Sequence, residues 1–262
     1  METIFWISSG LGFIFLMTTL GAATVFIFRK SSLGSVQQIS LGFAAGVMIA
    51  ASIWSLLMPA IEEAAIQGLI EWIPAAGGFA LGVIFMLGLD KIIPHFHPET
   101  GIIEGLPIKS KKTMLLFLAV TLHNIPEGMA VGLAYALAIQ NGDPALFMAA
   151  IALSLGIGIQ NFPEGAAISL PLRQEGVSTF KSFLIGSFSG VVEPIFGILA
   201  VLLAMWIAPI MPWLLSFAAG AMMYVVIEEL IPEARLDRHS HVGTLSVIAG
   251  FLVMMILDVA LG

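Results

Sequence analysis

The chain has 262 residues, of which 59% are hydrophobic and 10% are charged, and its net charge is −7. Soluble domains carry about 25% charged residues, so this composition excludes an ordinary soluble protein and indicates an integral membrane protein. Cysteine is absent, which excludes disulfides, thiolate metal ligands and cysteine nucleophiles. The cations form no basic stripe, so we expect the lipid bilayer and not nucleic acid as the partner.

Apolar stretches long enough to cross a bilayer recur along the chain. A spanning helix needs about 20 mostly apolar residues, and eight stretches meet this requirement. In chain order they cover residues 4–28, 38–60, 73–93, 114–140, 144–171, 180–206, 210–232 and 242–261. The connections are short except for the loop 94–113 between predicted spans 3 and 4. We therefore predict an all-α membrane protein with one transmembrane domain over residues 1–262.

The positive charges predict the orientation of these spans. All 10 lysine and arginine residues lie in or beside the connections that follow predicted spans 1, 3, 5 and 7. Connections rich in lysine and arginine stay on the cytoplasmic side. We therefore predict that the loop 94–113 is cytoplasmic, that both termini are extracytoplasmic, and that the protein lies in the cell (inner) membrane.

A short repeat indicates how the spans are arranged. Residues 43–48 in span 2 read Phe-Ala-Ala-Gly-Val-Met, and residues 217–222 in span 7 read Phe-Ala-Ala-Gly-Ala-Met. Such small residues also occur on ordinary helix-packing surfaces, which is the alternative interpretation. Because spans 2 and 7 run in opposite directions, the repeat predicts a 3+2+3 arrangement. Spans 1–3 and 6–8 would form an inverted repeat around spans 4 and 5, as in many secondary transporters.

The two central spans carry a second repeat that contains polar residues. Residues 123–128 read His-Asn-Ile-Pro-Glu-Gly, and residues 160–165 read Gln-Asn-Phe-Pro-Glu-Gly. Residues four apart share a helix face, which places His123 with Glu127 and Gln160 with Glu164. Proline cannot donate a backbone hydrogen bond, so we expect each motif to interrupt its helix and to free a carbonyl. Glu193, which is followed by another proline, adds a third carboxylate within span 6.

These carboxylates require neutralisation inside the bilayer. Each one costs roughly 3 kcal/mol near the bilayer centre, and every lysine and arginine lies at the cytoplasmic edge. Glu127, Glu164 and Glu193 must therefore be protonated or neutralised by bound cations. One alternative is a polar packing network in which protonated glutamates bond across helices. The other is a metal site, since three negative charges balance one divalent ion and half of the charge of a second.

The neighbouring polar residues indicate which cations would bind. His123 offers an imidazole nitrogen, and Asn124, Gln160 and Asn161 offer amide oxygens. Imidazole combined with carboxylates suits Zn²⁺, Fe²⁺ or Mn²⁺ better than Na⁺ or K⁺, but ligand type alone does not choose among these metals. We therefore predict a site for divalent transition metals.

The paired motifs at 123–128 and 160–165 resemble the signature of the ZIP (Zrt/Irt-like) metal transporter family, and the resemblance extends over essentially the whole chain. It implies uptake of divalent metals, chiefly Zn²⁺ with Fe²⁺, Mn²⁺ and Cd²⁺ as further substrates, into the cytoplasm through a two-metal site. It also implies a homodimer and an elevator-like movement of spans 1, 4, 5 and 6.

The resemblance also implies which residues hold each metal. His123, Glu127, Gln160 and Glu164 would bind the first ion. Asn124, Asn161 and Glu193 would bind the second, with Glu127 and Glu164 bridging the two. Many members of the family have an acidic residue where Asn161 stands, so an amide here makes the second site less anionic.

Further polar residues lie at the predicted cytoplasmic ends of spans 3 and 7. They could form an exit route for the metal, consisting of Asp90, His95, His97, Glu228 and Glu229. The alternative is that Asp90 pairs with Lys91 or Arg235 and that the histidines are ordinary loop residues.

Other functional classes fit the sequence less well. No phosphate-binding loop is present, so transport would not use ATP. An intramembrane metalloenzyme is a rival because His123 and Glu127 resemble half of a zinc-hydrolase helix, but the His-Glu-x-x-His pattern is absent. We therefore predict that the protein is not an enzyme. A metal-selective channel stays open as the other alternative.

Overall fold

The computed structural model describes residues 2–27, 33–92, 95–96, 103–104, 112–174, 176–234 and 241–261. These residues are almost all helical. The α-helices are α1 (Glu2–Ala23), α2 (Leu33–Ala51), α3 (Met58–Ile66), α4 (Trp72–Ile92), α5 (Lys112–Asn141), α6 (Pro144–Gln174), α7 (Thr179–Ser189), α8 (Val192–Ile207), α9 (Met211–Val225), α10 (Ile231–Ala234) and α11 (Val242–Leu261). A two-residue strand β1 (His95–Phe96) pairs antiparallel with β2 (Ile103–Glu104), with His95 opposite Glu104.

The helices lie where the apolar stretches predict them, so the prediction of an all-helical membrane protein is confirmed. Seven segments of the described chain are long and apolar enough to cross a membrane. They are Ile4–Phe26, Gln38–Ile66, Trp72–Leu89, Pro144–Leu170, Thr179–Leu203, Ala208–Leu230 and Val242–Ala260. Helix α5 occupies the position of predicted span 4 and is 30 residues long, but it is not among these seven. The count of eight spans therefore stays a prediction.

The helix interruption lies beside Glu193 and not at the two repeated motifs. Pro126 and Pro163 are both accommodated within the continuous helices α5 and α6. The break falls instead at Gly190 and Val191, between α7 and α8. Pro194 lies just after this break and has no N–H to donate to the carbonyl four residues earlier. The backbone N–H of Glu193 donates to the Gly190 carbonyl instead, at 3.1 Å, so Glu193 lies in the first turn of α8.

Two π-helical segments occupy equivalent positions in the Phe-Ala-Ala-Gly repeat. Ser52–Leu57 connects α2 to α3, and Val226–Leu230 connects α9 to α10. Each segment begins nine residues after the phenylalanine of its repeat, and each is followed two residues later by a proline, Pro59 or Pro232. A proline ring clashes with the carbonyl four residues earlier, which favours the wider turn at both places.

The long helices pack in four close pairs, which are α1 with α6, α2 with α11, α4 with α9, and α5 with α8. Glycines allow the closest approaches. Gly46 of α2 lies against the Val247 carbonyl of α11, and Gly220 of α9 lies against the Phe79 carbonyl of α4. A Cβ atom at either glycine would overlap the facing backbone. Gly46 and Gly220 are matching positions of the repeat, so the two helix pairs are built in the same way.

Candidate metal centre

The described polar side chains of the two motifs, and that of Glu193, are buried in the helix bundle. Asn124 and Glu127 lie on α5, Gln160 and Asn161 lie on α6, and Glu193 lies in the first turn of α8. All five side chains are 0% exposed, and Glu164 of α6 is 6% exposed. His123 lies within α5, but its side chain is outside the described part of the structure. Six of the seven predicted ligands are therefore buried, and the seventh is His123.

A hydrogen bond joins the two motifs directly. Nε2 of Gln160 donates to Oε1 of Glu127 at 2.7 Å, which connects the centre of α6 to the centre of α5. A hydrogen bond to an ionised acceptor is about twice as strong as one between neutral groups. When Glu127 is ionised, this contact therefore fixes the Gln160 and Glu127 side chains against each other.

Glu193 connects α8 to both central helices. Its Oε1 accepts a hydrogen bond from Nδ2 of Asn124 at 2.9 Å, and its Oε2 accepts one from Nδ2 of Asn161 at 2.8 Å. Gly128 lies against the backbone of Glu193, so α5 and α8 pack closely. This close packing brings Glu193 within hydrogen-bond distance of Asn124. The second asparagine of each motif thus contacts one oxygen of the same carboxylate.

The three glutamates lie near enough to one another for their charges to interact. Glu127 interacts with Glu164 and Glu193, and Glu193 interacts with Glu164. The hydrogen bonds described for Glu127 and Glu193 come from neutral amides and from the Thr18 hydroxyl. Buried charges without a counter-charge are strongly unfavourable. A bound cation would remove this cost for Glu127 and Glu193 together.

The site also contains unpaired acceptors. Four buried oxygens have no hydrogen-bond partner in the part of the chain that the structure describes. They are Oδ1 of Asn124, Oε2 of Glu127, Oε1 of Gln160 and Oδ1 of Asn161. Each unpaired buried group costs about 1–3 kcal/mol. Three of these acceptors are amide oxygens beside the three carboxylates, and the fourth is an oxygen of the Glu127 carboxylate itself. Such a set suits a metal ion, since oxygen atoms with free lone pairs are metal ligands.

The orientation of the two asparagine amides follows from their partners. Nδ2 of Asn124 donates to the Ser189 carbonyl at 3.2 Å as well as to Glu193, and Nδ2 of Asn161 donates to the Ile14 carbonyl at 3.3 Å as well as to Glu193. Exchanging N and O in either amide would place an acceptor against two acceptors. The amide oxygens must therefore face away from these partners, where they are available to a cation.

Helix α1 contributes two contacts that the sequence does not predict. Oγ1 of Thr18 lies 3.3 Å from Oε1 of Glu193, and the carbonyl of Ile14 accepts the hydrogen bond from Asn161. Thr18 is completely buried. Thr18 is one of several threonines in this part of the chain and carries no sequence signal for such a role, because the contact exists only when α1 packs against α6 and α8.

The described side chains do not form a metal site built from His, Cys, Asp and Glu ligands. Among them, no three His, Cys, Asp or Glu residues come together in a metal-binding arrangement. The unpaired oxygens instead come mainly from amides, and the imidazole of His123 lies outside the described side chains. The assignment of ligands to individual ions therefore stays a prediction.

The predicted exit residues are only partly described. Glu228 and Glu229 lie in the π-helical segment Val226–Leu230, where Glu228 is exposed and Glu229 is half-buried. Asp90 lies near the end of α4 and His95 lies in β1, but the side chains of both are outside the described part, as is all of His97. An exit route through these residues stays a prediction.

Comparison with known proteins agrees with this picture. The sequence model of the family described as ZIP Zinc transporter matches residues 104–258. The chain is 37% identical to zinc transporter ZIP11 of Homo sapiens, over 100% of this chain and 98% of that protein. It is 38% identical to zinc transporter ZIPB of Bordetella bronchiseptica, over 95% and 79% of the two chains. It is 32% identical to zinc transporter ZupT of Shigella dysenteriae, over 90% of each chain.

Proposed function

Because the chain belongs to the ZIP family of zinc transporters, we propose that it carries divalent transition-metal ions, chiefly Zn²⁺, across the membrane into the cytoplasm without ATP. Fe²⁺, Mn²⁺ and Cd²⁺ are the further candidate substrates. One observation supports the proposal most strongly. Among the described residues, three buried amide oxygens without hydrogen-bond partners adjoin three buried glutamates, and one oxygen of Glu127 also lacks a partner. A desolvated divalent cation would satisfy both the unpaired oxygens and the clustered negative charge.

The transported ions would be held at two adjoining positions. His123, Glu127, Gln160 and Glu164 would bind the first ion. The bond from Gln160 to Glu127 supports this grouping, because it holds two of these side chains together. The second ion would be bound by Asn124, Asn161 and Glu193, with Glu127 and Glu164 bridging. The contacts of both asparagines with Glu193 support this second group.

The proposed transporter has eight spans in a 3+2+3 arrangement, with an inverted repeat of spans 1–3 and 6–8 around spans 4 and 5. The matching π-helical segments at Ser52–Leu57 and Val226–Leu230 support the repeat. So does the pairing of helices, because inversion exchanges the pair α2 and α11 with the pair α9 and α4. It likewise exchanges α1 and α6 with α8 and α5.

Residues 1–262 would form one transmembrane domain in the cell (inner) membrane. The positive-inside rule supports extracytoplasmic termini and a cytoplasmic loop 94–113. Metal leaving the centre would pass Asp90, His95, His97, Glu228 and Glu229. The exposed carboxylate of Glu228 supports this route, because it can take up a cation at the end of the path. A homodimer is part of the same proposal.

We propose that the protein is a carrier, with a metal-selective channel and an intramembrane metalloenzyme as the rival functions. The relatives from Homo sapiens and Bordetella bronchiseptica are both named as zinc transporters. This supports transport and not catalysis.

Transport can be tested with purified protein in liposomes that contain a zinc-sensitive dye. We expect Zn²⁺ uptake that saturates with concentration and that is lost in Glu164→Ala. Glu71→Ala serves as the matched control, because Glu71 is an exposed glutamate outside the cluster. Large uptake without saturation would favour the channel. Hydrolysis of a membrane peptide without any metal flux would overturn the transport function.

A further inference from the structure

Thr18 is a buried residue of α1 that contacts the helix break and Glu193 together. Its side chain is 0% exposed, and Oγ1 lies 3.3 Å from Oε1 of Glu193. Gly190, at the break between α7 and α8, faces the same side chain. A Cβ atom on Gly190 would lie 2.9 Å from Cβ and 3.0 Å from Oγ1 of Thr18. Glycine at this position therefore leaves the space in which the Thr18 hydroxyl reaches Glu193.

The hydroxyl proton of Thr18 has two acceptors within reach. Oγ1 lies 3.3 Å from the carbonyl of Ile14 and 3.3 Å from Oε1 of Glu193. A bond to an ionised carboxylate is stronger than a bond to a neutral carbonyl, and the Ile14 carbonyl already accepts from Asn161. While Glu193 is ionised, the proton is therefore directed to Glu193.

The Thr18 hydroxyl reduces the number of free acceptor sites on Glu193. A carboxylate offers about four acceptor sites, two on each oxygen. Among the described side chains, Oε1 faces two donors, Nδ2 of Asn124 and Oγ1 of Thr18, whereas Oε2 faces one donor, Nδ2 of Asn161. Both acceptor sites of Oε1 are then used, and one site remains on Oε2. Without the Thr18 hydroxyl, one acceptor site on each oxygen would be free.

We propose that Thr18 is a positioning residue that makes Glu193 bind the transported metal through Oε2 alone. The inference rests on the proposed function, since it concerns how that metal is held. Ligation through one oxygen suits Zn²⁺, which takes few ligands at about 2.0–2.2 Å. Bidentate carboxylates are typical of cations with more oxygen ligands and longer bonds. The Thr18 hydroxyl thereby favours Zn²⁺ over larger ions such as Cd²⁺.

The test compares three single variants of the full chain. Thr18→Val keeps the shape of the side chain and removes the hydroxyl, whereas Thr18→Ser keeps the hydroxyl. Thr24→Val is the matched control, because Thr24 is a buried threonine whose hydroxyl donates to the carbonyl of Gly21 at 2.6 Å. Binding of Zn²⁺ and of Cd²⁺ to the purified protein is measured by titration. Uptake of each metal into liposomes then gives KM and the maximal rate separately.

We expect Thr18→Val to weaken Zn²⁺ binding about tenfold, as is typical when a residue that orients a metal ligand is removed. KM for Zn²⁺ should rise with it. Cd²⁺ binding should weaken less, so the preference for Zn²⁺ over Cd²⁺ falls. Thr18→Ser keeps the hydroxyl and should match the wild type in affinity and in metal preference. Thr24→Val should also match the wild type in both.

Several results would overturn the inference. One is a Thr18→Val protein with unchanged affinity and unchanged metal preference. Another is an equal loss for both metals that Thr18→Ser does not rescue, because this would indicate a packing role. If Thr18→Val does not fold, Thr18→Ala is measured by the same titrations against the same predictions. A wild-type protein that neither binds nor transports either metal would overturn the proposed function itself, which distinguishes the two failures.

Discussion

Nδ2 of Asn161 donates to Oε2 of Glu193 at 2.8 Å, and this bond joins α6 to α8 in the interior of the bundle. The same Nδ2 also donates to the Ile14 carbonyl of α1 at 3.3 Å. A neutral amide therefore stabilises the Glu193 carboxylate where an acidic residue would repel it. This contact holds Glu193 in place without a bound ion, so the two proposed metal positions would differ in how much they need a cation.

Asn161→Asp should increase the occupancy of the second metal position. The substitution removes both donors of Nδ2 and places a second negative charge beside Glu193, a repulsion that a divalent cation relieves. We expect more bound Zn²⁺ per protein in the variant, measured by elemental analysis after dialysis against limiting Zn²⁺.

Asn141→Asp is the matched control for this measurement, because it adds the same charge at an exposed position at the end of α5. Its metal content should equal that of the wild type. Equal metal content in Asn161→Asp and wild type would contradict the prediction.

His123→Ala should strongly weaken Zn²⁺ binding and uptake. His123 lies one turn before Glu127 on α5 and is the one nitrogen ligand in the predicted set. The substitution leaves only carboxylate and amide ligands in the predicted set. The loss of the imidazole nitrogen should lower the affinity for Zn²⁺ more than that for Mn²⁺, which prefers oxygen ligands. Uptake of both metals into liposomes measures this. His241→Ala, at an exposed loop position, should transport normally, and unchanged uptake by correctly inserted His123→Ala would refute the role of His123.

The positions of the helices follow from the sequence because of a simple physical constraint. Backbone groups in a bilayer must bond within their own segment, so long apolar stretches become helices. Helices such as α4 (Trp72–Ile92) and α11 (Val242–Leu261) accordingly lie where the apolar stretches predict them. The residues of the centre are also visible in the sequence, because polar side chains stand out in an apolar environment and occur there in two similar motifs.

The helix break and the contacts from α1 depend on tertiary packing and could not be predicted from the sequence. Pro126, Pro163 and Pro194 look alike in the sequence, yet only Pro194 follows a helix break in the described chain. At this break Gly190 packs against Thr18, a contact that the local sequence does not predict. The contacts from Thr18 and Ile14 likewise require the positions of three helices at once. Local sequence predicts which groups need partners, but the partners come from tertiary structure.

Gly128→Ala should destabilise the protein by separating α5 from α8. A Cβ atom at position 128 would lie 2.5 Å from Cα of Glu193 and would also overlap its carbonyl. Backbone cannot yield as a flexible side chain does, and overpacking of this kind costs typically about 1–3 kcal/mol. We expect a lower unfolding temperature in detergent and reduced Zn²⁺ uptake, because Glu193 moves away from Asn124. Gly12→Ala is the control, since no atom lies within 4 Å of the added Cβ. Equal stability of the two variants would contradict the prediction.

A buried polar pair outside the metal centre gives a test of stability alone. Oγ of Ser55, in the π-helical segment Ser52–Leu57, donates to Oδ1 of Asp258 on α11 at 2.6 Å. Both side chains are buried, and Oδ2 of Asp258 has no hydrogen-bond partner among the described residues. Ser55→Ala would remove the one donor described for this carboxyl group. Leaving a buried acceptor unsatisfied costs about 1–3 kcal/mol, and more for a charged group.

Ser55→Ala should therefore lower the unfolding temperature in detergent more than Ser52→Ala does. Ser52 is a buried serine of the same segment, but its hydroxyl donates to the Met48 carbonyl at 2.8 Å. Helix backbone already supplies donors to such carbonyls, so the loss at Ser52 should be small. Asp258→Asn in the Ser55→Ala background should recover much of the stability, because it removes the ability of the buried group to carry a charge. Equal losses in Ser55→Ala and Ser52→Ala, or no recovery in the double variant, would show that the contact between Ser55 and Asp258 does not stabilise the packing of α11 against the π-helical segment.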